Sequence, residues 1–236
     1  HAANFNWGDK VPLIEGITNT LNNQAFLTND ANAAALGELY FGAAKGMTDF
    51  VVITLGTGVG SGFVSNSRLV LGKRGMAGEF GHIIAIPNGR ECSCGHKGCI
   101  EMYASARGIR MTALDYLEKY EGDSPLRGYD LKTMSVRKIE KSAREGDYVA
   151  QRTFEKTGLL LGMKLADLVA LFDLEAIIIS GGVSRAGDLL LKPTFRSMNI
   201  HTFPAFRGNT KLLTSKMENA NAAVLGAAAL VFNEMK

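Results

Sequence analysis

Long apolar runs and a strong excess of charge of either sign are both missing from this 236-residue sequence. No run of about eighteen apolar residues occurs, so we predict no transmembrane helix. The first ten residues, HAANFNWGDK, are polar and lack the apolar core of a secretory signal peptide. The formal net charge of +3 is too mild to indicate binding to nucleic acid or to a membrane surface. These absences favour a cytoplasmic globular protein with neither kind of partner.

Proline is also scarce, with 5 residues against 27 glycines. Hydrophobic residues make up 46% of the chain, which is enough for one large domain, or for one domain plus part of another. Short β-branched runs, FVVITL at 50–55 and AIIIS at 176–180, alternate with helical patterns. This alternation predicts an α/β architecture.

The remaining segments extend this prediction. A glycine-rich turn over 56–64 runs into a second strand and 68–72 supplies a third, so antiparallel hairpins are predicted here. The stretch 120–134 has the composition of a surface loop. Helices are predicted at 31–45, 102–119, 135–144, 147–172 and 184–198, and a small-residue apolar helix at 218–235.

Cysteine is the scarcest of these residues, and its 3 copies are clustered at Cys92, Cys94 and Cys99. In a reducing compartment such a cluster binds metal more often than it forms a disulfide, and an odd number leaves one thiol unpaired. Gly95 and Gly98 permit the tight turn that lets the sulfurs converge. The spacing therefore predicts a zinc knuckle, and three ordinary buried thiols are the alternative.

Zinc in a structural site takes four tetrahedral sulfur or nitrogen ligands. The fourth ligand is either His82, ten residues upstream of Cys92, or His96 inside the knuckle. Three cysteines and one histidine close the site, so the metal is predicted to be structural and the chemistry to lie elsewhere. Glu101 follows directly, at the predicted start of a helix, where the helix dipole favours its charge.

Five stretches together resemble one known family. GMAGEFGHI (75–83) and CSCGHKGCIE (92–101) are similar to the signature of the ROK family, named for repressors, open reading frames and sugar kinases. NDANAAALGE (29–38) resembles its Asn-Asp catalytic segment, ITLGTGVGSGFV (53–64) its second phosphate-binding hairpin, and IIISGGVSRAGDLL (177–190) its nucleotide-side Gly-Gly turn. The resemblance spans essentially the whole chain and is greatest to bacterial glucokinases, particularly those of the Bacteroides type.

The resemblance implies an actin-like ATPase fold, which is ribonuclease H-like, with sugar and ATP meeting in a cleft between two α/β domains. The family's D-x-G-G-T turn and its glycine-rich sugar loop are not in this sequence, and the chain begins with His1. We therefore expect an N-terminally truncated fragment. Residues 1–31, with ANFNW at 3–7, would be a remnant of the first domain. Residues 32–217 would form the large α/β domain with its zinc knuckle at 82–99, and 218–236 a closing helix.

The resemblance also assigns roles on the sugar side. Asp30 is implied to be the general base that accepts the proton of the attacking sugar hydroxyl. Its alternative role is to cap the helix that begins at Ala31, and both roles can coexist. Asn29, Glu79 and Glu101 are implied to hydrogen-bond sugar hydroxyls. His82 is implied to bind zinc with one ring nitrogen and to face the sugar with the other, which places zinc in support of the sugar pocket.

On the nucleotide side, Gly56, Thr57 and Gly58 are implied to receive phosphate, and Gly181 and Gly182 to admit the adenosine. The alternative for both sequences is an ordinary turn. Phosphoryl transfer relies on positioning and on Mg²⁺, so the predicted cofactors are ATP, Mg²⁺ and a structural Zn²⁺. Because the D-x-G-G-T turn is absent, we expect the isolated 236-residue chain to have little or no kinase activity.

The function implied is ATP-dependent phosphorylation of a hexose, with glucose giving glucose 6-phosphate. N-acetylglucosamine, N-acetylmannosamine, fructose and allose are alternative substrates. A sugar-responsive ROK repressor with a helix-turn-helix is the second hypothesis, although Asp30 and the mild charge count against it. A non-catalytic zinc-stabilised module is the third. The resemblance also implies a homodimer.

Overall fold

The computed structural model describes residues 11–217 and 222–235. Within this part of the chain, five strands form one sheet in the order β3-β2-β1-β4-β5. Strand β1 pairs antiparallel with β2 and parallel with β4; β2 pairs antiparallel with β3, and β4 parallel with β5. The strands are β1 (Phe50–Leu55), β2 (Val59–Ser65), β3 (Arg68–Leu69), β4 (Ala176–Ser180) and β5 (Lys211–Thr214).

Eight helices surround the sheet in the described ranges. They are α1 (Leu13–Leu21), α2 (Asp30–Phe41), α3 (Glu101–Ala104), α4 (Ala106–Lys119), α5 (Val136–Arg144), α6 (Tyr148–Phe172), α7 (Asp188–His201) and α8 (Ala222–Glu234). None of the described helices is long and apolar enough to cross a membrane.

Alternating side chains of β1 bury opposite faces of the sheet. Val51, Ile53 and Leu55 join the large core beneath α3 to α7, whereas Phe50 and Val52 join a smaller core that includes residues of α2. Burial on both faces explains why FVVITL and AIIIS are continuous apolar runs instead of alternating ones. Such a sheet has its parallel strands ending at one common edge.

The predicted strands at 50–55 and 176–180 are confirmed with the same bounds, and so is the hairpin between β1 and β2. The third predicted strand is shorter, at Arg68–Leu69. The loop at 120–134 is confirmed, with one 3-10 turn at Pro125–Gly128. The closing helix runs from Ala222 to Glu234, while 218–221 and the 3–7 stretch lie outside the described residues.

Two predicted helices are interrupted by single residues. The helix predicted at 102–119 is divided at Ser105, whose hydroxyl accepts the Gly108 N–H (3.1 Å) and so caps α4. The helix predicted at 184–198 is divided at Gly187, where φ is +57°. A 3-10 turn, Gly182–Ala186, comes before this point and α7 comes after it.

Glu175 joins the starting ends of β1 and β4. Its Oε1 accepts the amide N–H groups of Thr48 (2.7 Å) and Asp49 (3.1 Å), and these bonds lower the pKa of Glu175 below its ordinary value of 4.5. A pKa lowered by folding means that the carboxylate stabilises the fold above about pH 4.5. This stabilisation is lost as the pH falls through the folded-state pKa.

We therefore expect Glu175→Gln to lower the melting temperature at pH 7, with the difference from wild type shrinking as the pH falls below about 4.5. Thermal melts from pH 3 to pH 7 measure this. Glu121→Gln, the same change at an exposed glutamate in the 120–134 loop, is the control. A melting difference for Glu175→Gln that is the same at pH 3 and pH 7 would contradict the assignment.

Candidate active site

His82, Cys92, Cys94 and Cys99 form one compact group in the folded chain. Their ligand atoms all lie within 4.8 Å of one another. The Cys92 sulfur is 3.6 Å from His82 Nδ1, and the Cys94 and Cys99 sulfurs are 3.6 Å apart. A tetrahedral zinc ion with Zn–S bonds of about 2.3 Å separates its ligands by roughly 3.5–3.8 Å, so these separations fit zinc.

His96 is the competing fourth ligand, and the geometry favours His82. The His96 Nδ1 lies 3.7 Å from the Cys94 sulfur, but His96 is outside the four-residue group. The backbone amide of His96 donates to Cys94 and lowers the pKa of that thiol to about 6, whereas burial raises the pKa of Cys99 to about 12. Because zinc binds thiolates, metal binding must displace a proton from Cys99.

Arg90 fastens the knuckle to the helices that follow it, a role that the sequence analysis missed. Its guanidinium donates to the carbonyl groups of Met102 (2.6 Å) and Gly108 (2.9 Å) and pairs with Asp115 (2.7 Å). It also lies over the Tyr103 ring, 4.7 Å from the centroid. An arginine with several fixed acceptors holds together the segments that supply them. The sequence gives one sign of this role, which is the position of Arg90 just before the cysteine cluster.

The segment Glu79 to His82 leads into the zinc group from the other side. His82 ends a 3-10 turn, and its Nε2 lies 3.9 Å from Glu79 Oε2. The two ring nitrogens thus have different neighbours: Nδ1 lies toward the cysteines and Nε2 toward Glu79. The sugar-facing role implied for His82 stays a prediction. Gly81 lies directly against the carbonyl oxygen of Val59, where a side chain would collide.

Glu101, which follows the knuckle, also contacts Val59. One carboxylate oxygen, Oε2, accepts the backbone N–H of Val59 (2.9 Å). The zinc knuckle fixes the position of Glu101. Cys99 pairs with Ile84 in a β-bridge, and α3 begins two residues later, at Glu101. The two ends of the knuckle thus meet at the start of β2.

Helix α2 brings Asn29 and Asp30 to the same strand. The expectation that Asp30 caps a helix beginning at Ala31 is wrong: the helix begins at Asp30, and Asn29 is the N-cap, with Oδ1 accepting the Asn32 N–H (2.7 Å). Asp30 is exposed, and its Oδ1 accepts the Ala31 N–H (2.9 Å). The Asn29 amide group and Asp30 Oδ2 remain available for a ligand.

Gly60 and Gly62 of β2 let α2 approach the sheet this closely. A Cβ on Gly60 would lie 3.2 Å from Ala31 Cβ, and a Cβ on Gly62 would collide with the Ala31 carbonyl and lie 2.7 Å from Ala35 Cβ. These glycines were expected only as part of a phosphate hairpin. Their contacts show that they also set the position of the residue next to Asp30.

We expect Gly62→Ala to lower the free energy of unfolding by about 1–3 kcal/mol, because α2 must move to admit the methyl group. Denaturant titration measures this. Gly16→Ala is the matched control: a Cβ there meets nothing within 4 Å, so a helix-stabilising effect below about 1 kcal/mol is expected. If Gly62→Ala unfolds with the same free energy as the wild type, the close packing of α2 against Gly62 does not contribute to stability.

The two glycine-rich turns assigned to the nucleotide lie side by side. Strands β1 and β4 are parallel, so Leu55 and Ser180 end at one edge of the sheet. Gly181, with φ of +89°, lies against the Leu55 backbone, where a Cβ would be 2.5 Å from the carbonyl oxygen. A Cβ on Gly56 or Gly182 would meet nothing within 4 Å, so both turns face open space. Ligands of open α/β sheets bind at this edge.

Nearly the whole chain matches one known protein family. A model of the ROK family matches residues 1–234. This chain belongs to the ROK family. The predicted family is therefore confirmed, and so is the predicted α/β fold of the actin-like ATPase type, which here contains a mixed sheet of five strands.

Relatives of this ROK chain include both enzymes and regulators. A glucokinase from Thermotoga maritima is 35% identical over 230 residues, covering 97% of this chain and 72% of that protein. The DNA-binding transcriptional dual regulator NagC of Escherichia coli is 33% identical over 231 residues, covering 98% of this chain and 54% of that protein.

Among solved structures, a ROK family glucokinase from Streptomyces griseus in complex with glucose and AMPPNP is 36% identical, with a TM-score of 0.83. The match covers 98% of this ROK chain and 75% of that one. Glucokinase from Parabacteroides distasonis is 19% identical with a TM-score of 0.74, a likeness that shows the fold alone. The narrower resemblance to Bacteroides-type glucokinases stays a prediction.

Proposed function

We propose that this chain carries the sugar-binding and catalytic residues of an ATP-dependent hexose kinase, and that its substrate is glucose. The observation that carries the proposal is the convergence on β2. The 79–82 segment and Glu101 contact Val59, and the residue after Asp30 contacts Gly60 and Gly62. The glucose and the ATP analogue AMPPNP held by the S. griseus relative support glucose and ATP as the substrates here.

In this mechanism Asp30 is the general base. A sugar hydroxyl attacks the γ-phosphorus of ATP, its proton passes to Asp30 Oδ2, and the bond from the γ-phosphorus to the bridging oxygen of ADP breaks. Oδ1 already accepts the Ala31 N–H, which fixes the carboxylate at the helix start. General bases of this kind contribute about 10²–10⁴ in rate.

The other residues bind and orient the sugar. The Asn29 amide group donates to a hydroxyl, and Glu79 and Glu101 accept from neighbouring hydroxyls. His82 Nε2 faces the sugar while Nδ1 faces the cysteines. Each paired hydroxyl contributes to specificity because a site left with an unpaired buried polar group loses affinity.

Three cofactors belong to the proposal. Zinc would be held by His82, Cys92, Cys94 and Cys99 and would fix the knuckle, without taking part in the reaction. ATP would lie along the open turns at Gly56 to Gly58 and at Gly181 and Gly182. Mg²⁺ bound with ATP supplies neutralisation of the phosphate charge.

A sugar panel tests the proposal. We expect the complete gene product carrying this sequence to phosphorylate glucose with ATP. The panel includes N-acetylglucosamine, N-acetylmannosamine, fructose and allose. Turnover on one of these in place of glucose would keep the reaction and change the substrate.

A sugar-responsive repressor is the second candidate, and the likeness to NagC supports it. The same panel separates the two functions. Sugar binding measured by calorimetry without phosphorylation of any sugar would overturn the kinase proposal and favour the repressor. The homodimer remains a prediction, for which the molecular mass in solution is the measurement.

A further inference from the structure

The turn at Gly56 to Val59 is held on two sides by the segment that follows the zinc knuckle. Glu101 Oε2 accepts the Val59 N–H at 2.9 Å. At the other side of the turn, the first amide of α4, that of Ala106, donates to the Gly56 carbonyl at 2.8 Å. The residues proposed to receive phosphate therefore depend on α3 and α4 for their position.

Gly58 shows how closely the carboxylate fits against the turn. A Cβ at this position would lie 2.6 Å from Glu101 Oε2, which is closer than real Cβ atoms come to other atoms. No left-handed φ requires glycine at position 58. The Glu101 carboxylate thus occupies the space that a side chain at 58 would fill, which gives a reason for glycine here independent of phosphate.

We propose that Glu101 is a positioning residue that couples the sugar pocket to the phosphate-binding turn. This inference rests on the proposed function, because it takes Glu101 to contact the sugar. Oε2 holds the turn through Val59, and Oε1 is left for a sugar hydroxyl. A sugar that fixes the carboxylate fixes the turn, and by linkage a well-ordered turn strengthens sugar binding.

The contact itself is tested by hydrogen exchange of the Val59 amide in the 236-residue chain, followed by NMR. Glu101→Asp retains the charge but shortens the side chain, so the bond to Val59 is lost. We expect the Val59 amide to exchange at least about tenfold faster. Glu118→Asp, the same change at an exposed position of α4, is the control and is expected to leave the Val59 amide unchanged.

The coupling is tested from the phosphate side. Gly58→Ala displaces the Glu101 carboxylate without removing any sugar-binding group, so we expect glucose to bind about tenfold more weakly in the absence of nucleotide. A glycine needed for phosphate alone would leave this affinity unchanged. Gly128→Ala, where a Cβ meets nothing within 4 Å, is the control. Zinc content and melting temperature establish that each variant is folded.

The outcomes are distinct. Unchanged Val59 exchange in Glu101→Asp overturns the positioning role. Faster exchange together with unchanged glucose affinity in Gly58→Ala overturns the coupling. If the wild-type chain and the complete gene product both fail to bind any sugar, the proposed function fails. The exchange measurement then still decides whether Glu101 holds the turn.

Discussion

Replacing Cys99 with serine is expected to abolish zinc binding and to lower the melting temperature by roughly 10 °C or more. Cys99 is fully buried, and its sulfur lies 3.6 Å from that of Cys94. Serine is close to cysteine in size, so the loss reports the metal and not a cavity. Structural zinc contributes directly to folding free energy, and a loss of several kcal/mol shifts the melting temperature of a chain this long by this amount.

Metal content per chain and thermal melts measure this effect. Removing zinc from the wild type with a chelator is expected to reproduce the Cys99→Ser melting temperature. His96→Ala is the matched control, because His96 lies in the same knuckle but outside the four-residue group. It is expected to retain its zinc. Loss of zinc in His96→Ala but not in a His82→Ala variant would reverse the ligand assignment.

Replacing Asp30 with asparagine is expected to lower kcat for sugar phosphorylation by at least about 100-fold while leaving sugar affinity within a few-fold of wild type. Asparagine is nearly isosteric and can still accept the Ala31 N–H, but it cannot take the proton of the attacking hydroxyl. Since Asn29 and not Asp30 caps α2, the melting temperature should change little. Removing one charge from the first turn of a helix costs at most about 1 kcal/mol.

The measurements are kcat in the complete gene product and sugar affinity by calorimetry. Asp167→Asn, at an exposed aspartate of α6 that pairs with Lys164, is the matched control and is expected to keep wild-type kcat. A kcat for Asp30→Asn within tenfold of wild type would remove Asp30 from the role of base. A large loss of stability in the same variant would assign it a structural role instead.

The sequence predicted best where one physical effect dominates. The runs 50–55 and 176–180 are apolar at every position except Thr54 and Ser180, because both faces of the sheet are covered, and their bounds were predicted without error. The metal site was predicted equally well, because three cysteines in so short a stretch most often bind a metal ion. The family motifs also predict that Asn29, Asp30, Glu79 and Glu101 share one sugar pocket, and this assignment stays a prediction.

Other features depend on contacts that a linear sequence does not display. Helix α1 was missed although Leu13, Ile14, Ile17 and Leu21 recur at helical spacing, because the helix is only nine residues long; none of its residues is buried in the described structure. Strand β5 was missed because it is four residues long and begins with an exposed lysine. The break at Ser105 was missed because the residues on either side are good helix formers, and the serine reads equally well as a helix interior residue.

Glu101 illustrates the limit most clearly. The sugar-facing role proposed for it comes from the family motif, whereas its hydrogen bond to Val59 joins residues 42 positions apart. Gly58 and Gly62 were taken as one phosphate-binding pattern, although the first accommodates a carboxylate and the second a helix backbone. Such assignments require the tertiary structure. A glycine in the sequence can indicate that there is no room for a side chain at that position, but it does not show which neighbouring group occupies the space.

The crowding around Val59 has a consequence for how this site can change during evolution. Gly58 contacts Glu101, and both Gly81 and Glu101 contact the Val59 backbone. Under the proposed function, a substitution at any of the three is expected to disturb the binding of sugar and nucleotide together. Glu79 is different: 58% of its side chain is exposed and its partner His82 is 3.9 Å away. If Glu79 contacts the sugar as proposed, a substitution at position 79 can change the sugar preference at little cost to the stability of the fold.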